Sequence, residues 1–157
     1  MVVHANSRIT PLVDVMWPYQ EEFNSFMVGD WLGSGVYRQV YSAPWDPDNY
    51  VIKLEHAMQH RMFCNSIEWA IWDNLKDHEE ASKWLAPCKS ISRSGNILVQ
   101  RRTTPISALP DKLPKFLEDT HIHNFGMLEG RIVCHDYAFN KLLGAGLPKK
   151  LKMVSPS

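Results

Sequence analysis

The sequence predicts an α+β fold: a five-stranded antiparallel sheet with one helix inserted after the third strand. Two observations point there. Short apolar runs are separated by clusters of glycine, proline, asparagine and serine, and one stretch, residues 61–77, instead repeats its apolar residues every fourth position. A third sets the scale, since 157 residues of which 45% are apolar suffice for one compact core and little more.

The elements are taken in chain order. Residues 11–28 start with Pro11 and Pro18 and carry Tyr19, Phe23 and Phe26 at helical spacing, which predicts a short amphipathic helix. Val28 to Tyr41 then changes period: two glycines separate runs rich in Val, Trp and Tyr, predicting strand, glycine turn, strand. Pro44 to Asn49 is dense in turn residues, and Tyr50 to Leu54 is the third strand. Over 61–77, Ile67, Ile71 and Leu75 form one helical row, with Glu68 and Trp72 beside it. Pro87 and the turn Ser94-Gly95-Asn96 bracket a hairpin of Cys88–Ser92 and Ile97–Arg101. Pro105, Pro110 and Pro114 make 103–117 an extended connection. Glu129-Gly130 is a turn before a short strand, Ile132–Cys134, and the tail after 146 is basic and frayed.

Composition excludes several classes. With 22% charged residues and this apolar fraction, the chain is neither globally disordered nor a disulfide-stapled mini-protein. Lys and Arg number 17, as do Asp and Glu, so nucleic-acid binding through bulk positive charge is disfavoured. Cys64, Cys88 and Cys134 lack any C-x-x-C spacing and are expected to be reduced, small buried hydrophobes. The N-terminus lacks a basic segment followed by an apolar stretch, and no run approaches the roughly 20 apolar residues of a membrane span. A cytoplasmic protein with no membrane partner is the expectation. Trp69, Trp72 and Trp84 are expected in the core rather than on a base-stacking surface.

The chemistry centres on Gly33-Ser34-Gly35. A dinucleotide fingerprint needs a third glycine and a following helix, whereas here Arg38 and a strand come next. A glycine turn between two strands instead sets backbone N–H groups over phosphates without side chains in the way. LGSGVYRQVY resembles the L-G-x-G-x-x-G-x-V-Y loop of protein kinases, with Arg38 replacing the last glycine, and Lys53 in V-I-K resembles the lysine of their V-A-I-K strand. Glu68, on the next helix among apolar neighbours, is the carboxylate that would hold Lys53. Asp119 and Asn124 fit the D-x-x-x-x-N loop, and Asp136-Tyr137-Ala138 stands where D-F-G would. The D-x-H-x-x-N form is closer to the aminoglycoside-phosphotransferase type. The phrases N-x-x-E-W (Asn65–Trp69) and W-L-A-P-C (Trp84–Cys88) are similar to small kinase-like proteins of tailed bacteriophages.

That resemblance implies ATP and magnesium as cofactors. Gly33, Ser34, Gly35, Lys53 and Glu68 would hold the nucleotide, Asp119 would be the catalytic base, and Asn124 and Asp136 would be metal ligands. It further implies a kinase-like N-lobe at 28–102 after an N-terminal helical extension at 1–27. A strongly truncated C-lobe at 103–145 and a flexible tail at 146–157 would complete the chain. Leu117-Glu118 replaces His-Arg before Asp119, Tyr137-Ala138 replaces Phe-Gly, and no A-P-E segment is present after them. Two functions from different classes stay open: a minimal ATP-dependent phosphotransferase, or a degenerate, pseudokinase-like protein that binds nucleotide and docks on another protein, a host factor in a phage setting. A third arrangement gathers His121, His123, His135, Asp119 and Asp136 as a transition-metal site. Apolar surface around Ala138–Leu147 would favour self-association.

Overall fold

The computed structural model describes residues 26–55, 62–140 and 151–156. The helix expected over 11–28 therefore lies almost wholly outside the described residues, as does most of the apolar stretch expected to favour self-association. Five strands form one antiparallel sheet: β1 (Trp31–Ser34), β2 (Arg38–Ser42), β3 (Tyr50–Glu55), β4 (Cys88–Ile91) and β5 (Ile97–Arg101), in the order β1-β2-β3-β5-β4. The helix α1 (Cys64–Leu75) is inserted between β3 and β4. The five strands, the helix and their order agree with the sequence expectation.

The register explains what the sheet positions. Gly33 pairs with Val40, Val40 with Lys53, and Lys53 with Leu98, so one cross-sheet row runs from the glycine turn to the lysine. Because side chains alternate along a strand, Val51 and Lys53 share one face with Leu98 and Gln100, while Ile52 takes the other with Val99. That second face holds a small cluster of Ala43, Ile52 and Val99.

Helix α1 starts at Phe63, a left-handed residue (φ 53°) with no side-chain cap. The Glu55 carboxylate, reaching over from the end of β3, instead accepts the backbone N–H of Asn65 at 3.2 Å. The helix buries Cys64, Asn65, Glu68, Ile71 and Leu75. This face is rotated from the row read in the sequence, because Ile67 and Trp72 are only partly buried while two polar residues go fully inside. Trp69, Trp72 and Trp84 pack against the main core from its margin.

The main core joins α1 and Leu98 to residues C-terminal to the sheet: Leu113, Phe116, Leu117, Phe125, Cys134 and Tyr137. These residues lie on or beside short strands, β6 (Leu113–Pro114), β7 (Phe125–Leu128) and β8 (Arg131–Cys134), and no α-helix occurs among the described residues after α1. Strands β7 and β8 form a hairpin whose turn, Glu129-Gly130, has two positive φ angles (50° and 79°), as a tight two-residue hairpin requires. The end of the chain departs from the frayed tail expected. Met153–Val154 forms β9 against β6, and Lys115 N–H donates to the Lys152 carbonyl at 2.8 Å. The extended, proline-marked segment at 113–114 leaves backbone groups for that strand to pair with.

Candidate nucleotide cleft

A cleft of about 630 Å³ opens between the sheet face that carries Lys53 and the β7–β8 hairpin. The glycine turn roofs it, Val40 and Val51 give it an apolar wall, and His123, Asn124, His135 and Asp136 form the opposite side. Gly33 and Gly35 need glycine for neither conformation nor packing. Neither has positive φ, and a Cβ at Gly33 would meet nothing within 4 Å. What their missing side chains leave is open space over the cleft.

At its base lies a buried ionic cluster. Lys53 Nζ donates to Glu68 Oε2 at 2.8 Å and to the His135 carbonyl. Glu68 is completely buried, and its second oxygen accepts from Arg38 Nη2 at 2.8 Å and from the Tyr137 backbone N–H at 3.1 Å. Arg38 Nη2 also meets Asp136 Oδ1 at 2.5 Å, and Arg38 Nη1 donates to Asn65 Oδ1 at 3.3 Å. Asn65 uses its amide N–H groups on the carbonyls of Lys53 and Asn96. A carboxylate without water survives only when paired and hydrogen-bonded, and Glu68 has three donors. Burial pushes its carboxyl upward, but Arg38 and Lys53 outweigh this and hold it down at about 2. Burial works against the Arg38 guanidinium as well, and Glu68 and then Asp136 more than compensate, raising its pKa. Partial burial lifts the Asp136 carboxyl above its ordinary value against the pull of Lys53 and Arg38.

Tyr137 and His135 fasten the hairpin to the cluster. The Tyr137 hydroxyl donates to the Ala86 carbonyl at 2.9 Å, and lies 3.1 Å from Cys88 Sγ. His135 Nε2 lies 2.9 Å from the His123 carbonyl, which can only accept, so Nε2 carries the proton and Nδ1 accepts from the Thr103 hydroxyl at 2.8 Å. Burial, then Lys53, lowers this histidine to about 4 and keeps it neutral. Gly126 permits the contact, because a Cβ there would come within 2.3 Å of Thr103 Oγ1.

Of the residues singled out by sequence, Gly33, Ser34, Gly35, Lys53, Asn124 and Asp136 line the cleft, and Glu68 lies behind Lys53. Asp119 does not line it. It is exposed, its Oδ1 accepts the His121 backbone N–H at 3.3 Å, and its carbonyl accepts from Asn124 Nδ2 at 3.3 Å. The histidines do not converge either. His121 and His123 stack on each other with centroids 5.2 Å apart, both nitrogens of His135 are engaged, and among the described residues no three His, Cys, Asp or Glu are grouped to hold a metal ion. Burial raises the three cysteine thiols, taking Cys88 to about 12, which leaves them inert. Sequence reasoning misses Asn65 and Tyr137 as site residues, and registers Arg38 only as a departure from the glycine pattern. A signal for Asn65 exists in its spacing, one helical turn before Glu68 on the same face.

The lining is electropositive. Arg38, Lys53, Arg101 and Arg102 face a single carboxylate, Asp136, among the described residues. At the wall, fully buried Gln100 donates Nε2 to the Ala86 carbonyl at 3.4 Å and leaves Oε1 without a protein partner. No protein-family model matches the chain, and no curated protein is similar to it. No helix among the described residues is long and apolar enough to cross a membrane.

Proposed function

We propose that the chain is a degenerate kinase-like protein that binds a nucleotide in this cleft and acts through it on a protein partner rather than by phosphoryl transfer. The observation that carries the proposal is the buried Lys53–Glu68 pair at 2.8 Å, set on the same cross-sheet row as the glycine turn. A lysine held by a buried carboxylate at the base of a cleft is an anchor for phosphates. The Lys53 ammonium has two protein acceptors and capacity for a third. Val40 and Val51 offer an apolar surface for a base. Such a nucleotide fits the lining in size, polarity and charge.

The catalytic alternative, a Mg-ATP-dependent phosphotransferase with Asp119 as base, has weaker support. A base must come within hydrogen-bond reach of the acceptor hydroxyl, and Asp119 sits on an exposed loop outside the cleft lining. The test is a thermal-shift titration of the full chain with ATP and ADP. Saturable stabilisation is expected, about 2.7 kcal/mol at 100 times Kd, and it should disappear in Lys53→Met. Absence of any shift with either nucleotide would sink the proposal. Phosphate transfer abolished by Asp119→Asn would move the assignment to the enzyme.

A further inference from the structure

Arg38 is the first residue of β2, and strand alternation turns it to the face of Val40 and Lys53, toward the cleft. Although it lines the cleft, it is only 6% exposed. Its guanidinium joins three side chains from separate parts of the chain: Asn65 and Glu68 on α1, and Asp136 after β8. Asp136 is the single carboxylate among the lining residues, and its Oδ1 is held by Arg38 at 2.5 Å.

We propose that Arg38 is a built-in cation that takes the place of a divalent metal ion in this cleft, so that the site binds a free nucleoside polyphosphate rather than its magnesium complex. The inference rests on the nucleotide-binding reading above. Formal charge supports it: Arg38 and Lys53 together balance Glu68 and Asp136, leaving no negative charge for a dication to neutralise. A magnesium ion demands near-ideal octahedral oxygen ligands. Here it would have to displace the guanidinium from Asp136 or sit beside it against like charge. Asn124, the other implied ligand, could offer only its neutral Oδ1, because its amide nitrogen donates to the Asp119 carbonyl. One carboxylate already paired to a guanidinium and one neutral amide oxygen are a poor donor set for the ion, and among the described residues no three His, Cys, Asp or Glu are grouped to hold one. The guanidinium itself suits a phosphate. It is a planar fork of five donors, of which three are used on Asn65, Glu68 and Asp136, and it holds its charge at any working pH.

The experiment measures ATP affinity calorimetrically for the wild-type chain in EDTA and in excess magnesium chloride. Kd in EDTA is expected to lie within about threefold of the magnesium value, or below it. In Arg38→Ser, with folding checked by circular dichroism, ATP binding should become at least about tenfold tighter with magnesium than without, since Asp136 is freed. If that variant does not fold, Arg38→Lys, which keeps a cation but loses the fork, should weaken ATP binding equally in both buffers. Wild-type binding tightened by magnesium by more than about threefold would overturn the inference and leave the nucleotide reading intact. No ATP binding in either buffer would overturn both.

Discussion

The two parts of the cleft region that the sequence singles out are built to different standards. The cluster of Arg38, Lys53, Glu68 and Asp136 is drawn from β2, β3, α1 and the segment after β8, and every Glu68 oxygen is matched to a donor. Asp119 is exposed, and among the described residues its Oδ1 and its carbonyl accept only from neighbours in its own loop, His121 and Asn124, each at 3.3 Å. A buried charge is tolerated only where several elements converge to satisfy it, so the cluster is overdetermined and couples the sheet, the helix and the hairpin. An exposed carboxylate keeps its water and requires no such convergence. The buried cluster is thus a folding element in its own right.

The sharpest way to break this contrast is Glu68→Ala. It leaves Arg38 and Lys53 without their shared buried partner, and the expected loss is about 3–5 kcal/mol in urea or thermal unfolding. Asp119→Asn, by comparison, should stay within about 0.5 kcal/mol of wild type. Equal effects of the two substitutions would refute the contrast.

Acid titration should weaken the same cluster in two stages. The folded pKa of His135 lies near 4, below its ordinary 6.5, so the unfolded chain binds more protons between these values and stability falls as pH drops through that window. Glu68, near 2 against an ordinary 4.5, contributes stability that is complete above 4.5 and is lost as pH falls toward 2. Urea midpoints at a series of pH values should show both stages, with His135→Asn flattening the upper one and Glu68→Gln the lower.

A smaller effect is expected at the contact that ties the hairpin to the strand β4 region. Tyr137→Phe removes the hydroxyl that donates to the Ala86 carbonyl, and because Gln100 also donates there, the loss should be about 1 kcal/mol. Smallest of all is the stability change in Gly33→Ala. A Cβ there meets nothing, so melting should shift little while ATP affinity falls, because the methyl enters the space over the cleft. A loss of stability without a loss of affinity would show that the glycine serves the strand rather than a ligand.

Much of this is legible in the sequence. Period and punctuation give five strands and a helix in the order observed, and the V-I-K lysine and the helical glutamate, read as a pair, meet at 2.8 Å. The buried face of α1 is less legible. An apolar row is the natural guide, yet Asn65 and Glu68 are the residues that go fully inside, because the sheet supplies charges and carbonyls for them. Local pattern has no means of registering partners so distant in sequence. For the same reason the chain end reads as frayed, while its pairing with β6 brings together strands far apart in the chain.

Sequence alone determined the alternation that sets Arg38 and Lys53 on one face of the sheet and the glycine turn that precedes them. Both arise from local backbone geometry, which the chain carries wherever it folds. Only the tertiary structure decided that Arg38 is a partner of Asp136 rather than a flaw in a glycine loop, and that Asp119 stays outside the cleft. The first outcome depends on the long-range meeting of the segment after β8 with β2 and α1, where the requirement to compensate each buried charge selects which side chains meet.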